Sequence, residues 1–148
     1  MSTDPRRTAM ALHPSADRCA ALDTDVLSAV AAGLGSVVDT CKAEPARSVQ
    51  RSRILATEGY DVWLMTWGPD SAADAHDHAG SISVVHVVAG ELVEETVDIL
   101  GTESVGRSIR SGTTTALSSV GRHSLANRTD RTSVSVHVYS PPIGDQPG

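Results

Sequence analysis

The chain has 148 residues and a formal net charge of −6, with a sequence pI near 5.4. This length predicts a single domain. The acidic balance argues against a nucleic-acid partner, because the 12 basic residues form no block larger than the pair Arg6 and Arg7. The chain has no Phe, so Val, Leu, Ile and Ala are expected to fill the core. Its two cysteines, Cys19 and Cys41, indicate reduced thiols of a cytoplasmic protein, and no stretch has the pattern of a signal peptide or a membrane span.

The first part of the chain is predicted to be helical after a weakly ordered start. Residues 1–18 are polar and contain prolines, and residues 19–44 form the helical region. From residue 22 to residue 41, apolar side chains recur at helical spacing, which predicts an amphipathic helix of roughly 20 residues. Asp23 or Thr24 is suited to cap its N-terminus.

From residue 45 to residue 143 the pattern is that of β-strands, and residues 144–148 form a tail. Short runs rich in β-branched residues alternate with Gly, Asp, Asn and Pro. These runs predict a mainly β fold, a sandwich or a small closed barrel, with the helix covering one sheet. The predicted strands are SRILAT, YDVWLMTW, SISVVHVVAG, ELVEETVDIL, GRSIRS, TTTALSS, HSLANR and SVSVHVYS.

The sequence HDH at residues 76–78 is the most distinct local motif. In an extended segment, residues two apart share a face, so His76 and His78 project together while Asp77 points the other way. Two imidazoles on one side form a two-point metal site. If the segment is instead a solvated turn, the same two histidines bind no metal. A third ligand from elsewhere in the chain is needed to decide between these interpretations.

A strand near the C-terminus has an unusual polar face. In TSVSVHVYSPP, residues 132–142, the valines lie on one face. Ser135, His137 and Tyr139 lie on the other face, two residues apart from one another. This polar face either meets water, as on an ordinary surface strand, or points into a cavity.

The spacing of the histidines resembles that of the cupins, a family of small β-barrels of the double-stranded β-helix or jelly-roll type. Cupins carry two metal motifs, G-x5-H-x-H-x3,4-E-x6-G and G-x5-P-x-G-x2-H-x3-N. This chain departs from them at Asp70 and Ser83, which replace the leading Gly and the Glu ligand, and at Ser118 and Val120, which replace Pro and Gly. The matching positions are His76, His78, Gly90, Gly112, His123 and Asn127.

The cupin resemblance implies a metal held by His76, His78 and His123. Three neutral imidazoles leave a divalent ion at its full charge with one side open, which suits a substrate with an anionic donor such as a thiolate. Non-haem iron is more often held by two histidines and one carboxylate. Three histidines also bind zinc, so the ligand set alone does not decide the metal.

From about residue 47 to residue 142 the chain resembles the thiol dioxygenase branch of cupins, whose best-known member is cysteine dioxygenase. Members show W-x-P-G-x5-HDH-x2-S, then V-x-x-G-x-L-x-E, and end in S-x-H-x-Y-S-P-P. The first two motifs are matched by Trp67, Pro69, His76, Asp77, His78, Ser81, Gly90, Leu92 and Glu94. The last motif is matched by Ser135, His137, Tyr139, Ser140, Pro141 and Pro142.

The resemblance implies oxidation of a small thiol by dioxygen to the sulfinic acid, with Fe(II) as cofactor. L-cysteine is the favoured substrate and 3-mercaptopropionate the alternative. In the family the polar face of the last strand points inward, so Ser135 is expected to hold His137, and His137 to hold Tyr139 beside the iron. Arg53 is expected to bind the substrate carboxylate, with Arg51 as the alternative.

Three further expectations concern residues near the motifs. Ser83 stands where animal cysteine dioxygenases carry a Cys that is cross-linked to the tyrosine, so no thioether can form here. His86 is expected to face outward and to be structural. The acidic residues, Glu91, Glu94 and Glu95, are expected to form a solvated edge.

Two other kinds of function remain open at this point. One is a non-catalytic cupin that binds a metal or small ligand as a sensor. The other is a zinc or nickel cupin with isomerase or lyase chemistry. For the favoured function, the expected partners are a small thiol and dioxygen, with neither nucleic acid nor membrane involved, and a monomer is compatible with the sequence.

Overall fold

The computed structural model describes residues 21–40, 46–73, 80–97, 100–101, 104–117 and 122–144. In this part of the chain no helix combines the length and the apolar character needed to cross a membrane. The helix and strands are α1 (Thr24–Gly35), β1 (Val49–Ala56), β2 (Asp61–Trp67), β3 (Ser71–Ala72), β4 (Ile82–Ala89), β5 (Glu91–Val97), β6 (Ser104–Arg110), β7 (Thr114–Ala116), β8 (Arg122–Asn127) and β9 (Ser133–Ser140).

The described strands form two sheets, and every pairing within them is antiparallel. One sheet has the order β1-β2-β9-β4-β7, and the other has the order β3-β8-β5-β6. Strand β9 therefore lies in the middle of the first sheet, between β2 and β4. Strand β8 lies between β3 and β5 in the second. These two central strands carry the candidate site residues His123, Ser135, His137 and Tyr139.

Each of the eight predicted strands is present in the structure, so the predicted mainly β fold is confirmed. Strand β3 is an addition that the sequence pattern does not predict. It contains only Ser71 and Ala72, which is too short for apolar and polar residues to alternate visibly. Ser71 pairs with Asn127 and Ala72 pairs with Ala126, which places this short strand at the edge of the second sheet next to β8.

The main core lies between the two sheets and contains no Phe. Trp67 is its largest side chain and is fully buried. Valines, leucines and an isoleucine supply most of the rest, as the composition predicts, because their branched side chains pack well on pleated surfaces. The core consists of Met65, Trp67, Ala73, Val85, Val87, Leu92, Ile109, Leu117 and Leu125.

Helix α1 covers the outer face of the first sheet, where it forms a second core. Leu27 and Ala31 are fully buried there. The sheet contributes Val62, Val84, Val136 and Val138 to this cluster. The valine face of β9 thus packs outward beneath the helix, which leaves the opposite face of that strand directed at the space between the sheets.

The helix is shorter than predicted, with 12 residues from Thr24 to Gly35. Asp23 caps it, and its side chain accepts a hydrogen bond from the Asp25 amide at 2.8 Å. At the other end, a Cβ on Gly35 would overlap the imidazole of His86. This close approach requires glycine, and glycine also favours the end of a helix. The contact confirms that His86 faces outward.

Leu27→Ala should lower the free energy of unfolding by about 2–5 kcal/mol, because it leaves a cavity in the cluster beneath the helix. Urea unfolding followed by circular dichroism measures this change. The matched control is the neighbouring Val26→Ala, since Val26 is 48% exposed and its truncation should cost less than about 0.5 kcal/mol. Equal losses from the two substitutions would contradict the packing of the helix described above.

Candidate functional site

The polar face of β9 points into the space between the sheets. Every residue of the strand is buried. Ser135 lies opposite Met65 and Val87 on the neighbouring strands, and both belong to the main core. Residues directly opposite on adjacent strands share a face, so Ser135, His137 and Tyr139 share the core-facing side. Of the two interpretations of this strand, the inward-facing one is therefore correct.

Ser135 connects the indole of Trp67 with the ring of His137. The Trp67 Nε1–H donates to the Ser135 Oγ at 2.9 Å. The same Oγ lies 2.7 Å from the His137 Nε2. The predicted contact between Ser135 and His137 is thus present, while the part played by Trp67 is not predicted from sequence. Because an indole nitrogen only donates, this bond fixes one lone pair of the serine and leaves its hydroxyl hydrogen available for the imidazole.

Tyr139 lies next to His137 and is 2% exposed. The two rings are nearly parallel, with an interplanar angle of 19° and centroids 6.3 Å apart. Burial raises the pKa of the Tyr139 phenol, and the negative charge of Asp61 raises it further, while the charge of Arg51 and the nearby Ser83 hydroxyl oppose the shift. The side chain is therefore a neutral phenol at physiological pH, with a proton that it can donate. A hydrogen bond between His137 and Tyr139 stays a prediction.

His123 on β8 is 1% exposed and lies on the same face of its strand as the core residue Leu125. Its Nδ1 is 3.1 Å from the Oε2 of Glu94 on the adjacent strand β5. The Nε2 is then the ring nitrogen through which His123 would coordinate a metal. Metal-binding histidines commonly place a carboxylate on their other ring nitrogen, so the surroundings of His123 fit the predicted role.

The expectation of a solvated acidic edge is wrong for Glu94, which is 3% exposed. Glu94 shares the core-facing side of β5 with the fully buried Leu92, whereas Glu91 and Glu95 are on the opposite side and are partly exposed. The second oxygen of Glu94 accepts a hydrogen bond from the Arg107 guanidinium at 2.7 Å. The alternation of Leu92 and Glu94 is the sequence signal that identifies this residue as buried.

The other two predicted metal ligands, His76 and His78, lie outside the described residues. The part of the chain that the structure describes contains no group of three or more His, Cys, Asp or Glu side chains that could hold a metal. The structure does define the residues on either side of the segment that contains these two histidines. On one side the Ala73 amide donates to the Leu125 carbonyl at 2.9 Å, and on the other the Ser81 hydroxyl donates to the Pro141 carbonyl at 2.8 Å.

Both candidate arginines lie on the same face of β1, where Arg51 is opposite Met65 and Arg53 is opposite Trp63. The Arg53 guanidinium carbon is 5.6 Å from the centre of a Trp63 ring, a cation–π contact. Arg51 lines a cleft of about 460 Å³ together with residues 47–49 and 70–73. This volume is ample for a small thiol. Both arginines therefore remain candidates for binding a carboxylate.

Three turns at the predicted motif positions share a left-handed backbone. Gly90 and Gly112 have φ angles of 78° and 84°, and Asp70, in place of a glycine, has a φ of 52°. Asp is among the few residues that tolerate this conformation. The backbone that the motif requires is thus kept at residue 70 without glycine.

A sequence model of the family described as cysteine dioxygenase type I matches residues 45–146, more than half of the chain. This chain belongs to the cysteine dioxygenase type I family. Membership supports a cupin enzyme with thiol dioxygenase-like function. Comparison with curated proteins gives no match.

Solved structures similar to this chain show the cupin fold. The protein TT1209 from Thermus thermophilus is 18% identical, with a TM-score of 0.58 over 72% of this chain and 97% of that one. BH2720 from Bacillus halodurans is 15% identical, with a TM-score of 0.60 over 69% and 75% of the two chains. A cupin domain from Bordetella pertussis is 19% identical, with a TM-score of 0.52 over 66% and 98%. The predicted cupin barrel is thereby confirmed.

Asn127, which closes the family's H-x3-N motif, braces a turn next to the site. Its Nδ2 lies within hydrogen-bond distance of the carbonyls of Trp67, Gly68 and Arg131, and its Oδ1 accepts from the Thr129 amide at 3.0 Å. The side chain thereby ties the connection between β8 and β9 to the end of β2. Asn127 supports the strand that carries His123.

Asp61 is a buried carboxylate that the sequence motifs do not predict. It lies opposite Tyr139 and is 1% exposed. Within the described residues, no hydrogen bond of ordinary length and angle reaches its carboxylate oxygens. Burial raises the pKa of Asp61, although the Trp63 indole, the backbone of residues 143–144 and the charge of Arg53 are near enough to oppose the shift. Ionised Asp61 therefore costs the fold stability.

Asp61→Asn should raise the melting temperature at neutral pH, and this gain should vanish at acid pH. Because the folded-state pKa is raised above 3.8, the native chain binds more protons than the unfolded chain and loses stability as the pH rises through the folded-state value. Thermal unfolding of both proteins from about pH 3 to pH 7 measures the difference. A difference that stays constant across this range would contradict the raised pKa.

Proposed function

We propose that this chain is an Fe(II)-dependent thiol dioxygenase that converts L-cysteine into its sulfinic acid. His76, His78 and His123 would hold the metal. The observation that supports this most is the buried imidazole of His123, whose Nδ1 contacts a carboxylate, in the same barrel as the inward face of Ser135, His137 and Tyr139. A metal ligand of this kind and a neutral phenol are what this oxidation needs from the protein.

The path of the chain supports the predicted ligand set. Strand β3 runs antiparallel to β8, and its pairing advances from Asn127 to Ala126, while the following Ala73 amide bonds to Leu125. The chain is thus heading along β8 towards His123 when the HDH segment begins. The segment ends where β4 pairs with β9 beside Tyr139. The segment therefore joins β3, which pairs with the strand of His123, to β4, which pairs with the strand of Tyr139.

Bound at this site, Fe(II) would supply the coordination positions at which the thiol and dioxygen meet, and it would mediate the transfer of four electrons from the thiol sulfur to dioxygen. Both oxygen atoms end on sulfur, so the reaction needs no further reductant. The protein provides position and protons. The Tyr139 phenol, whose pKa burial raises further, would keep its proton and could donate a hydrogen bond to the reacting oxygen, while His137 and Ser135 would keep the phenol in place.

For the substrate carboxylate, Arg53→Ala should raise the KM for cysteine by about 10- to 100-fold while changing kcat little, because a guanidinium bond to a carboxylate is worth about 1.5–3 kcal/mol. Steady-state oxygen uptake measures both constants. Arg51→Ala is the matched variant on the same face of the strand. If the larger KM effect appears with Arg51→Ala, Arg51 is the carboxylate ligand instead.

The test of the function is anaerobic loading with Fe(II), followed by exposure to oxygen with cysteine, 3-mercaptopropionate or cysteamine. Oxygen uptake by an electrode and a product heavier than the thiol by two oxygen atoms are expected with cysteine. A preference for 3-mercaptopropionate would change the substrate but keep the reaction. No uptake above the His123→Ala variant with any thiol would favour a binding protein, and stoichiometric zinc in protein purified without added metal would favour the zinc cupin.

A further inference from the structure

Glu94 joins Arg107 to His123 inside the barrel. One carboxylate oxygen receives the Arg107 guanidinium at 2.7 Å, and the other lies 3.1 Å from the Nδ1 of His123. The side chain of Glu94 is 4% exposed and that of Arg107 is 47% exposed. The arginine also reaches the Ala116 carbonyl at 3.0 Å, which fixes its head group to β7. The carboxylate is therefore held at both ends.

We propose that Glu94 is the positioning residue of the metal site and that it acts through His123. An ionised carboxylate only accepts hydrogen bonds, so the contact with Glu94 places the proton of the neutral imidazole on Nδ1. The lone pair is then on Nε2, the nitrogen that would bind the metal. This inference rests on the proposed function for the metal site itself, in which His123 is a proposed ligand.

The position of Glu94 favours this role over a purely structural one. A carboxylate buried inside a barrel costs free energy that a leucine at the same place would avoid. Arg107 does not need Glu94 as a partner, because nearly half of its side chain is exposed and water can solvate its charge. The contact that requires a buried acceptor is the one with His123. Partners of this kind typically change metal affinity by about 10- to 100-fold.

The test compares Glu94→Gln with Glu95→Gln. Glu95 is the next residue along the strand and forms an ion pair with Arg128 at 3.4 Å, with 42% of its side chain exposed. The two variants therefore lose the same charge from the same strand, but only Glu94→Gln affects His123. Anaerobic titration with Co(II), followed by its visible absorption, should show a dissociation constant about 10- to 100-fold higher for Glu94→Gln. Glu95→Gln should stay within about twofold of the native chain, as expected when no outer-shell partner is lost.

A second measurement uses the metal-free protein. Nitrogen-15 correlation spectra of the imidazoles, taken where His123 is neutral, should show its proton on Nδ1 in the native chain. If Glu94→Gln does not fold, Arg107→Gln replaces it, because that variant keeps the carboxylate but removes its anchor, and a weaker Co(II) affinity is again expected.

Three results would overturn the proposal. They are equal Co(II) affinities for the Glu94 and Glu95 variants, a proton on Nε2 of His123, and loss of all Co(II) binding in folded Glu94→Gln, which would make Glu94 a ligand itself. The failure of the proposed function is a different result. In that case the native chain oxidises no thiol, while the ratio of Co(II) dissociation constants still tests Glu94.

Discussion

His123→Ala should abolish both stoichiometric Fe(II) binding and thiol-dependent oxygen uptake. The proposed site has three protein ligands, and His123 is the one that lies far in sequence from the HDH motif. Removal of an outer-shell partner lowers metal affinity by about 10- to 100-fold. The loss of affinity in His123→Ala should be larger, because a bond to the metal itself disappears. Metal analysis after anaerobic loading and gel filtration measures the first quantity, and an oxygen electrode measures the second.

The matched control for this prediction is His86→Ala. His86 lies outside the barrel, with its Nδ1 2.7 Å from the Thr114 hydroxyl and its ring against Gly35. Its removal deletes the same side chain from the same fold without touching the proposed ligands, so iron binding should remain at the native level. Circular dichroism would show that both variants are folded. Full iron occupancy in folded His123→Ala would mean that the metal is held elsewhere or by other residues.

The sequence predicts the fold well because its strands are short, rich in β-branched residues and separated by turn residues. The polar face of β9 is an instructive case. Alternation alone places Ser135, His137 and Tyr139 on one face but does not decide whether this face meets water or the core. The family resemblance points inward, and the structure decides the question through the neighbouring Met65 and Val87.

Contacts between strands that are distant in sequence are harder to predict. Glu94 is one of three glutamates in a short stretch, and composition suggests solvent for all of them. Its contact with His123 exists because β5 and β8 are neighbours, with Glu95 paired to Ser124 and Thr96 paired to His123. The Trp67 bond to Ser135 depends in the same way on the pairing of β2 with β9. Such partners become visible only when the strand order is known.

Tyr139→Phe should keep iron binding intact but slow turnover with cysteine on the order of 10²-fold, the usual cost of one hydrogen-bond donor aimed at developing charge. Phenylalanine preserves the ring stacked on His137 and removes only the hydroxyl, so the barrel should fold normally. The effect should fall on kcat rather than KM, since the phenol acts on the oxygen-bearing group and not on the free thiol. Steady-state kinetics at saturating cysteine and a parallel iron assay measure the two quantities.

Tyr60→Phe is the control for this prediction, because Tyr60 is the other tyrosine of the chain and packs against the cluster beneath the helix. Both variants lose one phenol hydroxyl, but only one of these hydroxyls belongs to the inward face of β9. A normal kcat for Tyr139→Phe, with the same ratio of oxygen consumed to sulfinate formed, would show that the phenol takes no part in the reaction. The row of Ser135, His137 and Tyr139 would then serve the packing of the barrel, and the chemistry would depend on the metal and its ligands alone.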